Sequence, residues 1–187
     1  MFTKRPFSKR VIALVIGASL VVAACSSEPD TISLSDGAIA VPASDAGDVE
    51  VTSEVINFAY DDFDGALRSL DELPPGPVVL NFFASWCSTC IAEMPDFETV
   101  SQDMAGDVTF LGLSVQDRVE SAIDLVAETG VTYPVGNDQN GEIFTQVGAL
   151  GMPTTVFIRA DRTIASVHSG VLDVESLTDM INQELLS

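Results

Sequence analysis

The segment VVLNFFASWCSTCIAEMPDFETVSQDM, residues 78–104, decides the fold. Residues 78–84 form an almost continuous apolar run, which predicts a central strand that is covered on both faces. The run leads directly to Cys87 and Cys90, and after them apolar side chains recur every three or four residues as far as Met104. This spacing predicts a helix with one buried stripe. The segment therefore predicts a buried strand followed by a helix that starts at a pair of cysteines.

Strands and helices alternate along the rest of the domain, which indicates an α/β fold. A loop of turn residues at 160–162 between two β-rich runs predicts an antiparallel hairpin. The predicted further strands are residues 55–60, 108–115, 154–159 and 163–168, and the predicted further helices are residues 119–128, 142–147 and 174–186.

Residues 1–24 have the pattern of an export signal, because four basic side chains precede the apolar run 11–22. The run is about a dozen residues long, whereas a membrane-spanning helix needs roughly 20. Residues 22–25, VAAC, resemble a bacterial lipobox, so we expect Cys25 to be acylated and to become the mature N-terminus. The alternative is an ordinary secretory signal that is cleaved near Ala24.

The next residues predict a tether and a single domain. Residues 25–53 are rich in small, polar and acidic residues with few large apolar ones, which is typical of a flexible acidic linker. Residues 54–187 have the length of one domain. We therefore expect a lipid-anchored domain on the extracytoplasmic side of a bacterial cell membrane.

The negative charge of the chain disfavours binding to nucleic acid and to anionic lipid head groups. After residues 1–24 are removed, the chain contains four arginines, no lysine and 28 acidic residues, which gives a formal net charge of −24. Binding to nucleic acid or to anionic lipid head groups needs cationic side chains, so neither is expected. The membrane contact is therefore assigned to the lipid on Cys25.

Two cysteines separated by two residues can close a disulfide when the pair begins a helix. The free N–H groups at the helix start favour a thiolate at Cys87, which predicts that Cys87 attacks and Cys90 resolves the mixed disulfide. An inert structural disulfide is the alternative. A structural zinc site that takes Cys87 and Cys90 as two of its four ligands is disfavoured. His168 is the only further candidate ligand, and it is expected on an exposed strand position. We predict no metal, and no cofactor besides the redox-active disulfide Cys87–Cys90.

Residues 56–186 resemble the TlpA/ResA-type branch of the thioredoxin superfamily, whose members are membrane-anchored and extracytoplasmic. Residues 81–95, NFFASWCSTCIAEMP, are similar to the strand, active site and kinked helix of that family, and residues 151–155, GMPTT, resemble its cis-proline loop. The resemblance implies a thioredoxin-like fold with a central mixed β-sheet flanked by helices. It also implies a cis bond between Met152 and Pro153, and a client-binding loop formed by Met152, Pro153 and Thr154.

The resemblance implies roles for the residues around the cysteines. Glu93 stands where the family has a glutamate that helps proton transfer at the buried thiol; the alternative is a solvated helical acid. Asn81 occupies the place of a buried aspartate in thioredoxin and cannot titrate. Trp86 is expected to shield the site. Ser88 and Thr89 depart from the family pattern, in which proline is common at the second place, and their hydroxyls could bond a thiolate.

The implied function is a disulfide reductase that receives electrons from a membrane thiol–disulfide carrier and passes them to cysteine-containing exported clients, with cytochrome c maturation as a family role. A disulfide-forming oxidase is the first alternative, since the same residues would serve both directions. A lipid-anchored peptide-binding module without turnover is the second. A peroxidase is disfavoured, because Ala84 stands where that chemistry places a threonine three residues before the cysteine.

Acylation of Cys25 can be tested directly. Metabolic labelling of the full-length protein with a palmitate analogue should tag the wild type, and Cys25→Ala should abolish the tag, because the lipobox makes this cysteine the acylation site. Equal labelling of the two proteins would show that Cys25 is not acylated.

Overall fold

The structure, a computed structural model, describes residues 55–187. The predicted export signal, Cys25 and the tether lie outside the described residues. Among the helices of residues 55–187, none is long and apolar enough to cross a membrane.

The described residues form a seven-stranded sheet with the strand order β2-β1-β5-β4-β3-β6-β7. The strands are β1 (Ala59–Asp62), β2 (Leu67–Ser69), β3 (Val78–Phe83), β4 (Thr109–Val115), β5 (Val135–Asp138), β6 (Thr154–Ile158) and β7 (Ile164–Ser169). The helices are α1 (Ser88–Asp103), α2 (Val119–Thr129), α3 (Glu142–Gln146) and α4 (Val174–Glu184), and a 3₁₀ turn covers Leu70–Glu72.

Strand β3 is an inner strand of the sheet, between β4 and β6, and all six of its residues are buried. It pairs in parallel with β4 and antiparallel with β6, so the sheet is mixed. The α/β fold with a central mixed sheet flanked by helices is therefore confirmed, and so is the antiparallel hairpin of β6 and β7.

Successive side chains of β3 point to opposite faces of the sheet, and each face has its own apolar layer. Val79 and Phe83 belong to the layer that includes α1 and α4. Phe82 belongs to the opposite layer and meets Phe144 of α3 edge to face, with 5.2 Å between the ring centroids. These two layers fix β3, and with it the position at which α1 begins.

The edge with β1, β2 and β5 differs from the sequence prediction. The first strand is Ala59–Asp62 instead of residues 55–60, and Val55 forms only an isolated bridge with Thr163. Strands β2 and β5 were not predicted, because neither carries a run of large apolar residues. In β5 the buried position Gly136 lies against β1, where an added Cβ would clash with the ring of Tyr60. The pairing of β5 with β1 therefore requires a residue without a side chain at position 136, and a hydrophobic pattern does not reveal this requirement.

Candidate active site

Cys87 and Cys90 are joined by a disulfide at the start of α1. Cys87 is the N-cap residue of the helix, and its Sγ lies 3.2 Å from the backbone nitrogen of Cys90, which donates to it. The side chain of Cys87 is 6% exposed, whereas Cys90 is fully buried. Only the first of the two sulfurs can therefore be approached from solvent, as an attacking thiol requires.

The residues next to Cys87 lie at the surface. Ser88 and Thr89 are exposed, and the hydroxyl of Thr89 is 3.4 Å from the Cys87 sulfur, within hydrogen-bonding distance. Trp86 is 59% exposed, and its indole N–H points to the carbonyl oxygen of Gln116 at 3.4 Å. This contact holds the indole at the surface next to Cys87, and the expected shielding of the site by Trp86 stays a prediction.

A groove of about 520 Å³ opens beside Cys87. Its lining includes Trp86, Gln116, Phe144 and Met152, and no charged side chain is among the described lining residues. The groove is thus an uncharged surface on an acidic domain, and it reaches the reactive sulfur.

The proline loop contributes Gly151 and Met152 to the lining of this groove. The Met152–Pro153 peptide bond is cis, as the resemblance implies. Met152 is half-buried in the groove wall, whereas Pro153 and Thr154 are buried. The Thr154 hydroxyl donates to the Gly151 carbonyl oxygen at 2.5 Å, which holds the loop in place. Of the three predicted loop residues, Met152 therefore lines the same groove as Cys87, and the buried Pro153 and Thr154 follow it in the chain.

Glu93 lies on α1 three residues after Cys90, so the two side chains share one face of the helix. It is only 1% exposed, which excludes the alternative of a solvated acid. Its Oε1 accepts from Asn81 Nδ2 at 3.1 Å, and its Oε2 accepts from the backbone nitrogen of Leu172 at 3.2 Å. Burial raises the pKa of Glu93 to about 7, although both hydrogen bonds act to lower it. Glu93 can therefore take up and release a proton near neutral pH.

Asp117 is a residue of the site that the sequence analysis missed. It is buried, and its two carboxylate oxygens accept from the backbone nitrogen of Ser85 at 2.5 Å and from the Ser85 hydroxyl at 2.8 Å. It also accepts from the nitrogen of Arg118 at 2.8 Å and from the hydroxyl of Ser114 at 3.4 Å. Asp117 thus fixes the loop before Cys87 to the end of β4. Its position directly after a predicted buried strand was the available signal.

The comparisons with known proteins agree with this geometry. Residues 50–181 match the Redoxin family, and the chain belongs to that family. The thiol-disulfide oxidoreductase ResA of Oceanobacillus iheyensis is 32% identical over 127 residues, which are 65% of this chain and 64% of ResA, less than two thirds of its length. ResA of Bacillus thuringiensis is 26% identical over 136 residues, 72% of this chain and 79% of the relative.

Among solved structures, the chain is similar to a secreted disulfide oxidoreductase of Mycobacterium tuberculosis that is homologous to DsbE of E. coli. The TM-score is 0.61 at 26% identity, and the match covers 67% of this chain and 95% of the other. The thioredoxin-like fold and the resemblance to the TlpA/ResA-type branch are confirmed. Fold, family and the bonded cysteine pair define the class: a thioredoxin-fold thiol–disulfide oxidoreductase.

We expect Asp117→Asn to destabilise the protein by about 1–3 kcal/mol, because either orientation of the amide turns an NH₂ group toward a backbone N–H that the carboxylate now accepts. Trp86, the only tryptophan of the chain, reports on the same loop, so its fluorescence should change as well. Asp124→Asn, an exposed change on α2, is the matched control. Urea unfolding and emission spectra indistinguishable from those of the control would contradict the role of Asp117.

Glu93→Gln should change how stability depends on pH. Burial raises the pKa of Glu93 from 4.5 to about 7. The folded protein therefore binds an extra proton in this window, and its stability falls by about 2–4 kcal/mol as the pH rises through it. Glutamine does not titrate. It can keep both contacts if its oxygen accepts from the Leu172 nitrogen and its NH₂ group donates to Asn81 Oδ1 after the Asn81 amide group flips.

The disulfide-bonded variant should consequently be more stable than the disulfide-bonded wild type at pH 8, with a difference that shrinks toward pH 4. Urea unfolding at several pH values measures this, and Glu128→Gln, an exposed change on α2, is the control. A Glu93→Gln difference that does not vary with pH would show that the carboxyl group titrates at its ordinary value.

Proposed function

We propose that the protein is an extracytoplasmic thiol–disulfide oxidoreductase that reduces disulfides of exported client proteins through Cys87 and Cys90. The observation that carries this proposal is the unequal burial of one bonded pair, with Cys87 at the floor of a groove and Cys90 fully buried. An inert structural disulfide has no need of a groove that leads to one sulfur.

The reduction has two steps. The Cys87 thiolate of the reduced protein attacks a client disulfide, which forms a mixed disulfide and releases one client thiolate. The Cys90 sulfur then attacks Cys87 as its thiol loses a proton, which closes the Cys87–Cys90 disulfide and releases the second client thiolate. Two electrons have passed from the cysteine pair to the client. Glu93, on the same helical face as Cys90, accepts the proton that the second step releases.

The groove is suited to an extended client segment that passes over Met152. The loop of Met152, Pro153 and Thr154 would pair with the client backbone, in line with the family resemblance. The uncharged lining between Trp86 and Phe144 favours client segments without a charge next to their cysteine. Apocytochrome c is the client class that the resemblance suggests.

The proposed location is the outer side of a bacterial cell membrane. Residues 1–24 would direct export, and acylated Cys25 would anchor the protein through the acidic tether. The similarity to a secreted disulfide oxidoreductase supports export. A membrane thiol–disulfide carrier would then return electrons to the cysteine pair after each turnover.

A disulfide-forming oxidase is the second candidate, and one contact favours it. The Thr89 hydroxyl lies 3.4 Å from the Cys87 sulfur, and a hydroxyl that donates to the thiolate stabilises the reduced form. A more stable reduced form makes the disulfide a stronger oxidant. Equilibration with glutathione measures the reduction potential, which decides between the two directions.

In a Cys25→Ala background, which leaves two thiols, Cys90→Ser should accumulate a mixed disulfide with a peptide disulfide, whereas Cys87→Ser should accumulate little. The reason is that only Cys87 can be reached before the first attack. Non-reducing gels and mass spectrometry identify the adduct, and insulin reduction should be lost in Cys87→Ser. Adducts formed mainly through Cys90 would reverse the assignment, and full insulin reduction by Cys87→Ser would show that Cys87 does not carry the activity. No insulin reduction by the protein with both cysteines would refute the enzymatic function.

A further inference from the structure

The buried position of Glu93 raises the question of how its proton reaches water. The carboxyl group is 1% exposed and lies beneath α1 on the sheet. A proton taken from the Cys90 thiol has to be passed on before the next turnover. Apolar side chains surround most of this layer, so polar atoms that lead out of it are the candidates for a route.

Three polar side chains form a row across the sheet, beginning at the residue that holds Glu93. Asn81 of β3 lies opposite Thr155 of β6, and Thr155 lies opposite His168 of β7. Residues directly opposite in antiparallel strands point to the same face, with their Cβ atoms about 4.5–5.5 Å apart. The row therefore runs from the buried carboxyl group to the edge strand of the sheet.

The two inner members of this row carry polar atoms without a protein partner. Asn81 Oδ1 and Thr155 Oγ1 are both buried, and neither makes a hydrogen bond to any residue of 55–187. Buried polar atoms in folded proteins are nearly always satisfied, by bound water where protein groups are out of reach. Two such atoms at directly opposite positions suit one water molecule between them.

His168 stands at the outer end of the row. It is half-buried, in contrast to the exposed position expected from the sequence, and it lies on the edge strand. Its Nε2 points along the strand toward Gly170, 3.5 Å from where a Cβ of that residue would be. An imidazole can accept a proton on one nitrogen and donate one from the other, so it can pass protons between the row and solvent.

We propose that Asn81, Thr155 and His168, with a water molecule bound between Asn81 Oδ1 and Thr155 Oγ1, form the route by which Glu93 exchanges protons with solvent. The inference rests on the proposed function, in which Glu93 receives the proton of Cys90. Asn81 orients the Glu93 carboxyl group through Nδ2 and holds the water through Oδ1. The hydroxyl of Thr155 and the imidazole of His168 carry the proton outward.

The proton balance is simple. As Cys90 attacks the mixed disulfide, its proton moves to Glu93, and the client leaves as a thiolate that takes up a proton from water. Glu93 then gives its proton to the water that Asn81 holds, the Thr155 hydroxyl passes a proton on to His168, and His168 releases one to solvent. The other titratable group that acts on Glu93 is Asp96 of its own helix, and the charge of Glu93 in turn acts on Tyr133, which precedes β5.

The test is a single-turnover experiment at pH 7 with a peptide disulfide and the reduced full-length protein in the Cys25→Ala background, which leaves Cys87 and Cys90 as the thiols. The reaction is stopped with acid to count mixed disulfides. Thr155→Val keeps the shape of the side chain and removes a hydroxyl without a protein partner, so the fold should be retained. Resolution of the mixed disulfide should slow about tenfold. General acid–base groups contribute about 10²–10⁴-fold, and the effect is smaller here because Glu93 itself is retained. The first attack by Cys87 should keep its rate.

Three further variants separate the proton route from packing. Thr155→Ser retains the hydroxyl and should restore the rate of resolution. Ser166→Ala also removes a buried hydroxyl without a partner among the described residues, but Ser166 lies opposite Phe157 and outside the row, so its rate should equal that of the wild type. His168→Gln should slow resolution, and added imidazole should rescue it.

The outcomes of this test separate the route from the role of Glu93. If Glu93→Gln slows resolution and Thr155→Val does not, the route is wrong and the role of Glu93 stands. If neither variant slows resolution, the role of Glu93 in the proposed function fails. Equal slowing of Thr155→Val and Ser166→Ala would assign the effect to packing and overturn the route.

Discussion

The burial of β3 between two apolar layers is the constraint on which the rest of the site depends. Because all six residues of the strand are covered, its carboxyl end has a fixed position, and α1 begins there. Strand β4 runs parallel beside it, so the carboxyl ends of both strands meet at one edge of the sheet. Asp117 can therefore reach the loop before Cys87. The reactive sulfur is thus positioned by this loop on one side and by the first turn of α1 on the other.

The same burial is costly for the polar groups within these layers. Asn81 and Glu93 are almost free of solvent contact, and a buried carboxylate is unfavourable unless hydrogen bonds compensate for the lost water. Two donors reach Glu93 and compensate only in part, so its pKa stays raised at about 7. A group that served packing alone would be better replaced by an apolar residue. The energetic cost of burying Glu93 therefore supports the proposed role of its proton.

The sequence predicts the parts of the site that are local in the chain. The apolar run of β3, the helical spacing after Cys90 and the turn before β7 each carry a pattern within a few residues, and the structure confirms them. Strands β2 and β5 carry no such pattern. The contact of Asp117 with Ser85 joins residues 32 apart. The row that ends at His168 depends on the register of three strands, which no local pattern contains.

The amide at position 81 explains how a single carboxyl group can serve this site. An aspartate there would lie within hydrogen-bonding distance of Glu93, since Asn81 Nδ2 is 3.1 Å from Oε1. Two buried carboxylates at that distance cannot both ionise, so they would share one proton and titrate as a coupled pair. Asparagine donates to the ionised form of Glu93 and leaves one group to titrate. The amide therefore orients the carboxyl group, and in the proposed mechanism the carboxyl group alone changes its charge as the disulfide forms and breaks.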